Sequence, residues 1–152
     1  MDKIYIDDNL IQIDLKTNKK EEVIKSLAQK MLEKNIVKNS YLDAVLKREE
    51  DYPTALKTNN INFAIPHTDP EHVKKPALAV ALLNNEVNFT SMENYEEEIG
   101  VKLVFLMAIT EPKKQVKTLK KLIELMQNPK ITNKILAVKS KEQLAEILQE
   151  NL

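Results

Sequence analysis

Two unbroken apolar runs, Ala77-Leu78-Ala79-Val80-Ala81-Leu82-Leu83 and Leu103-Val104-Phe105-Leu106-Met107-Ala108-Ile109, constrain the fold of this chain more than any other feature. Both fall far short of the ~18 residues that a membrane span requires. Neither alternates as a strand with one wet face would, so each must be covered above and below, the situation of a central strand between layers of helix. The connection after Leu83 is too short for a helical crossover to a parallel neighbour, which predicts a mixed sheet.

The covering helices are legible from their stripes. Val23, Ile24, Leu27, Ala28, Met31 and Leu32 lie on one helical face, in a helix that starts near Lys19 and ends near Asn35. Ser40 is placed to cap a second helix, with Asp43 at its third position and Leu42, Val45 and Leu46 as its stripe, stopped by Pro53. Pro112 suits the first turn of a third helix with Val116, Leu119, Leu122, Ile123 and Met126 on one side. Asn128-Pro129 ends it and opens a short helix carrying Ile131, Ile135 and Leu136. Ser140 and Gln143 form a capping box before Leu144, Ile147 and Leu148. Shorter strands are predicted over Ile4 to Leu15, with a turn at Asp7-Asp8-Asn9, and at Phe63-Ala64-Ile65 and Val87-Asn88-Phe89. Asn94 to Glu98 reads as an acidic solvated loop. No repeat or linker interrupts this order, so residues 1–152 are expected to form a single α/β or α+β domain, a small mixed sheet flanked by helices.

Composition then removes function classes. There is no cysteine, which excludes disulfides, cysteine nucleophiles and thiolate metal sites together. A single glycine, Gly100, leaves no way to write a phosphate-binding glycine loop or a dinucleotide fingerprint. Lysine plus arginine, 23, equals aspartate plus glutamate, 23, so no basic arm points to nucleic acid or to an anionic membrane. Met1-Asp2-Lys3-Ile4-Tyr5 lacks the basic and apolar regions of a secretion signal. The expectation is a cytoplasmic protein that binds no nucleic acid and does not insert in a membrane.

Of the two histidines, His67 has the more constrained setting. It follows the strand-like Phe63-Ala64-Ile65, and Pro66 fixes its own φ, lacks a donor and biases Ile65 toward extended backbone. Asp69-Pro70 makes a second turn, so the imidazole stands at a stiff strand end. Around it the sequence offers Arg48, Thr54, Asp69 and His72. A metal site of His67, Asp69 and His72 lacks a thiolate, and the prolines break the helix that would align histidines one turn apart. A serine hydrolase needs a glycine-flanked serine that is missing. General acid or base catalysis on a small substrate stays open, since one imidazole and one carboxylate suffice. So does a nucleophilic histidine that accepts and returns a group. There, a nearby arginine disfavours the imidazolium, keeps the lone pair free and then offers a planar fork to phosphoryl oxygens. The second ring nitrogen needs an acceptor, such as a backbone carbonyl, to fix the tautomer.

Leu46-Lys47-Arg48-Glu49-Glu50-Asp51-Tyr52-Pro53-Thr54 followed by Phe63-Ala64-Ile65-Pro66-His67 resembles the enzyme IIA domain, fructose/mannitol type, of the bacterial phosphoenolpyruvate-dependent sugar phosphotransferase system. The resemblance spans nearly the whole chain. Tyr52-Pro53-Thr54, His72 and Lys114-Gln115-Val116-Lys117-Thr118-Leu119 are most similar to the galactitol branch. It implies that His67 takes phosphate from the histidine-containing phosphocarrier protein, on the nitrogen farther from the backbone, and passes it to a cysteine of enzyme IIB. The sugar is phosphorylated later, during uptake through the membrane component, enzyme IIC.

The same resemblance implies that Arg48 steadies the phosphate and brings Thr54 in as a nearby hydroxyl, against its plainer reading as a turn-capping residue. Mannitol- and fructose-type members carry a second histidine where this chain has Gln115, whose amide can donate without titrating. His72 either orients the site or faces solvent. No cofactor or metal is implied. Two proteins must reach the same nitrogen in turn, so a shallow apolar rim is expected around it. The rival reading is a regulatory phosphoprotein that binds other proteins according to the phosphorylation state of His67.

Overall fold

The computed structural model describes residues 4–152; Met1-Asp2-Lys3, the head of the leader reading and of the 1–152 span, lies outside them. Five strands form one sheet: β1 (Ile11–Leu15), β2 (Ala55–Leu56), β3 (Phe63–Ala64), β4 (Ala77–Thr90) and β5 (Glu98–Ala108). The order across the sheet is β1-β4-β5-β3-β2. β1 runs parallel to β4 and β3 parallel to β5, while β4 with β5 and β2 with β3 are antiparallel. The sheet is therefore mixed, and the two apolar runs occupy its inner strands. Helices α1 (Lys20–Glu33), α2 (Tyr41–Asp51), α3 (Pro112–Met126), α4 (Pro129–Leu136) and α5 (Lys141–Asn151) complete the architecture.

The pleat sorts each continuous apolar run onto two faces. Ala77, Ala79, Ala81, Val104 and Leu106 join the core formed with Val23, Leu27 and Met31 of α1 and Tyr41 and Val45 of α2. Leu78, Val80, Leu82, Phe105 and Met107 face Leu122 and Met126 of α3, Ile135 of α4 and Leu144 and Leu148 of α5. Burying each Leu, Val or Phe side chain contributes roughly 1.5–3 kcal/mol, and the inner strands supply such side chains to both cores.

Several local expectations are corrected. Val87-Asn88-Phe89 is not a strand of its own but the outer part of β4, whose ladder with β5 shifts register between Leu82 and Val87. Of the first predicted strand only Ile11–Leu15 forms one; Tyr5 makes an isolated bridge to Ala77, and Asp8–Leu10 is a 3-10 turn. Glu98, assigned to the acidic loop, begins β5. Ser40 precedes α2 without a side-chain cap bond. Ser140 does cap α5 by accepting from the Gln143 N–H, but the Gln143 side chain accepts from the Lys139 N–H instead of from Ser140. Val116 and Leu136, placed on helical stripes, are exposed. Asn35 ends α1 at φ 59°, with Ile36 N–H bonded to Met31 O and Asn35 N–H to Leu32 O, so asparagine fills the left-handed position that glycine usually takes.

Candidate active site

The site is assembled where β3 ends, because β2 stops supplying ordinary ladder bonds while β5 holds the chain for one residue more. β2 pairs with β3 only through Ala55↔Ala64 and Leu56↔Phe63. One residue further, the Ile65 N–H donates to the Thr54 hydroxyl at 3.1 Å in place of a backbone carbonyl. Pro66 has no N–H to give, but its carbonyl accepts from Met107 N–H at 3.1 Å, and the chain leaves the sheet there.

His67 then turns its ring back on the strand. Its Nδ1 donates to the Ile65 carbonyl at 2.7 Å, which fixes the Nδ1–H tautomer and leaves Nε2 with the lone pair. The imidazole is held below its ordinary acidity range, chiefly because burial disfavours the charged ring. The Ile65 carbonyl opposes this; Arg48 adds to it, and Asp69 works against it. The arginine therefore acts in the direction read from the sequence, though burial is the larger cause.

Arg48, in the last turn of α2, lies with its guanidinium 5.2 Å from the centre of the Tyr52 ring and Nη1 3.4 Å from Asp69 Oδ1. That ion pair is long and half exposed, so it contributes little. The Arg48 Nε is buried without a hydrogen-bond partner, an arrangement that costs about 1–3 kcal/mol. Across the loop after His67, Gln115 in the first turn of α3 donates through Nε2 to the Thr68 carbonyl at 3.0 Å. Gln115 thus ties α3 to the loop.

Two sequence candidates sit elsewhere in the hydrogen-bond network. Thr54 is neither a turn cap nor a free hydroxyl: it is buried, donates to Glu49 Oε1 at 2.8 Å and accepts from Ile65. His72 is tied through Nδ1 to Ser40 Oγ at 2.7 Å, at the opposite end of α2 from Arg48, and its Nε2 lies 3.8 Å from Glu71 Oε1. Ser40 and Arg48 are eight residues apart, or about 12 Å along a helix axis. Among the described residues no three His, Asp or Glu side chains converge as metal ligands.

Glu49 was missed by sequence reasoning. It is only 4 % exposed, and its Oε2 accepts the Thr54 N–H at 3.0 Å. Burial lifts its carboxyl from the usual 4.5 to about 7, against the lowering effect of the two Thr54 hydrogen bonds and of Lys20. The available signal was the spacing Tyr41, Val45, Glu49, a glutamate on the inward stripe of α2.

The family model "Phosphoenolpyruvate-dependent sugar phosphotransferase system, EIIA 2" matches residues 4–151. The galactitol-specific EIIA component of Escherichia coli (strain K12) is 27% identical over 119 residues, covering 78% of this chain and 79% of that protein. The solution structure of the mannitol-specific cryptic phosphotransferase enzyme IIA of Escherichia coli superposes with a TM-score of 0.75 at 21% identity, covering 96% of each chain. The Escherichia coli complex of mannitol enzyme IIA with phosphorylated enzyme IIB gives 0.72 at 22% identity, covering 93% of this chain and 95% of that one. These structures share the fold, and the family match spans every strand and helix described above. The chain belongs to the EIIA 2 family of the phosphoenolpyruvate-dependent sugar phosphotransferase system and is a phosphotransferase component of that system.

Proposed function

We propose that His67 is the residue that carries the phosphoryl group. The observation that carries this reading is the tautomer: Nδ1 is committed to Ile65, so Nε2 keeps its lone pair, with the unpaired Nε of Arg48 belonging to the guanidinium that acts on the ring. In the first step the Nε2 lone pair forms a bond to phosphorus as the N–P bond of the donor phosphohistidine breaks and the donor imidazole leaves with those electrons. As Nε2 loses its lone pair the His67 ring becomes cationic, and the Ile65 carbonyl stabilises it through the Nδ1–H. Arg48 exchanges the weak Asp69 contact for phosphoryl oxygens, where charge-assisted bonds are stronger. In the second step a cysteine thiolate attacks phosphorus, the His67 N–P bond breaks, and the ring returns to its neutral state. Such transfer asks chiefly for alignment and nearby donors.

The donor in this reading is the histidine-containing phosphocarrier protein and the acceptor is enzyme IIB, through which the phosphate reaches a sugar at the membrane component, enzyme IIC. The resemblance to the galactitol-specific EIIA component supports a galactitol-like sugar. Tyr52, 59 % exposed beneath Arg48, and Val116, 53 % exposed beside Gln115, suit an apolar rim for brief docking. The working compartment is the cytoplasm; no helix among the described residues is long and apolar enough to cross a membrane.

The test is incubation with phosphoenolpyruvate, enzyme I and the phosphocarrier protein, followed by enzyme IIB. Wild type should gain an acid-labile phosphate and lose it to the IIB cysteine. No phosphate on wild type, or phosphate persisting on His67→Ala, refutes the assignment. A chain that charges but discharges to no IIB is a regulatory phosphoprotein instead.

A further inference from the structure

Glu49 occupies a place where packing alone calls for a different residue. The inward stripe of α2 is Tyr41, Val45 and Glu49, so the carboxylate takes the position at which the helical period puts an apolar side chain. An ionised group there is costly unless its acceptors are used. Both are used, by one residue: Oε2 accepts the Thr54 N–H at 3.0 Å and Oε1 the Thr54 hydroxyl at 2.8 Å.

The direction of these bonds determines how Thr54 meets the strand. Thr54 has a single hydroxyl proton, and committing it to Glu49 turns a lone pair of Oγ1 toward the Ile65 N–H, 3.1 Å away. The Ile65 carbonyl in turn accepts from His67 Nδ1 at 2.7 Å. The N–H and C=O of Ile65 belong to successive peptide planes, so the link between them is geometric rather than electronic. Pro66 narrows the backbone freedom of Ile65, and anchoring its N–H sets where its carbonyl points.

We propose that Glu49 is a positioning residue for His67: by holding Thr54 in one hydrogen-bonding sense it anchors Ile65, whose carbonyl keeps the imidazole in the Nδ1–H tautomer with the Nε2 lone pair available. This deepens the phosphotransfer reading and rests on it for its purpose. An amide at this position has one acceptor oxygen and one donor nitrogen, so Glu49→Gln cannot satisfy both Thr54 donors. Thr54→Val keeps the shape and removes the hydroxyl.

The experiment is NMR of histidine-labelled (15N) protein at about pH 8, above the range in which Glu49 titrates, with no phosphate donor or partner present. Wild type should show His67 with a protonated Nδ1 and an unprotonated Nε2. Glu49→Gln and Thr54→Val should both move these two resonances toward averaged values. Each should also slow phosphoryl uptake by about tenfold, with KM for the phosphocarrier protein within about twofold. Thr54→Ser, which keeps the hydroxyl, should restore the wild-type spectrum. Val45→Ala, a core truncation on the same stripe, should lower Tm without moving the His67 resonances.

Wild-type His67 resonances in folded Glu49→Gln or Thr54→Val overturn the proposal. So does a Val45→Ala variant that shifts them as much. Should Glu49→Gln not fold, the Thr54 pair decides alone. A wild-type chain with the fixed tautomer that never accepts phosphate refutes the phosphotransfer reading and not the positioning.

Discussion

The two ends of α2 each engage a histidine, and they do so in different ways. At the N-terminal end Ser40 bonds His72, whose ring nitrogens are directed to a hydroxyl and to the exposed Glu71. At the C-terminal end Arg48 and Glu49 approach His67 by two routes, one through charge and one through Thr54 and Ile65. His72 is held by side chains that can rearrange, whereas His67 is held by a backbone carbonyl whose own strand is anchored. The same residue type, five positions apart, is a surface contact in one place and an imidazole oriented by the backbone in the other.

The largest expected effect separates these ends most sharply. His67→Ala should abolish acid-labile phosphate incorporation, and His72→Ala should retain uptake within about threefold. A large loss in His72→Ala would break the comparison. Next, Arg48→Ala should slow uptake by about a hundredfold, the loss of charge-assisted bonds of about 1.5–3 kcal/mol that form as the phosphoryl group arrives. Arg48→Lys should recover only part of this, because an ammonium lacks the planar fork. Single-turnover rates would distinguish the two.

A smaller effect concerns pH. Glu49 binds its proton more tightly folded than unfolded, so its contribution to stability is greatest below 4.5 and declines as pH rises to about 7. The full shift corresponds to about 3 kcal/mol. His67 runs the other way: its folded acidity lies below 6.5, so its contribution is complete above that value and is lost as pH falls. Urea unfolding of wild type and Glu49→Gln across this range should give curves whose difference follows the Glu49 slope. Parallel curves would sink the prediction. The smallest effect is at the other end of the helix, where Ser40→Ala removes the bond to His72. Unfolding should show a loss of about 0.5–1.5 kcal/mol, with phosphate uptake unchanged.

Much of the fold could be read along the chain, since the apolar runs, the helical stripes and the proline punctuation are local patterns. The failures have causes outside the local pattern. Val87-Asn88-Phe89 alternates like an independent strand, but only pairing with Val101, Gly100 and Ile99 makes it part of β4. Val116 fits a helical period yet lies outside the buried arc, because the stripe of α3 that meets the sheet runs through Leu122, Leu125 and Met126. Ser40 fits a cap pattern, but its hydroxyl is bonded to a histidine 32 residues away.

The sequence by itself determined that two inner strands would be covered on both faces, that His67 would stand at a stiff strand end, and that cysteine and glycine-loop chemistry were unavailable. It also carried Arg48 in the last turns of the second helix. Only the tertiary structure decided which ring nitrogen of His67 is free, that Thr54 points to Glu49, and that His72 belongs to the far end of α2. Those outcomes depend on hydrogen bonds between segments remote in sequence, whose direction is set by which donors are left over after the sheet has formed. A linear pattern records spacing along one segment and has no access to that remainder.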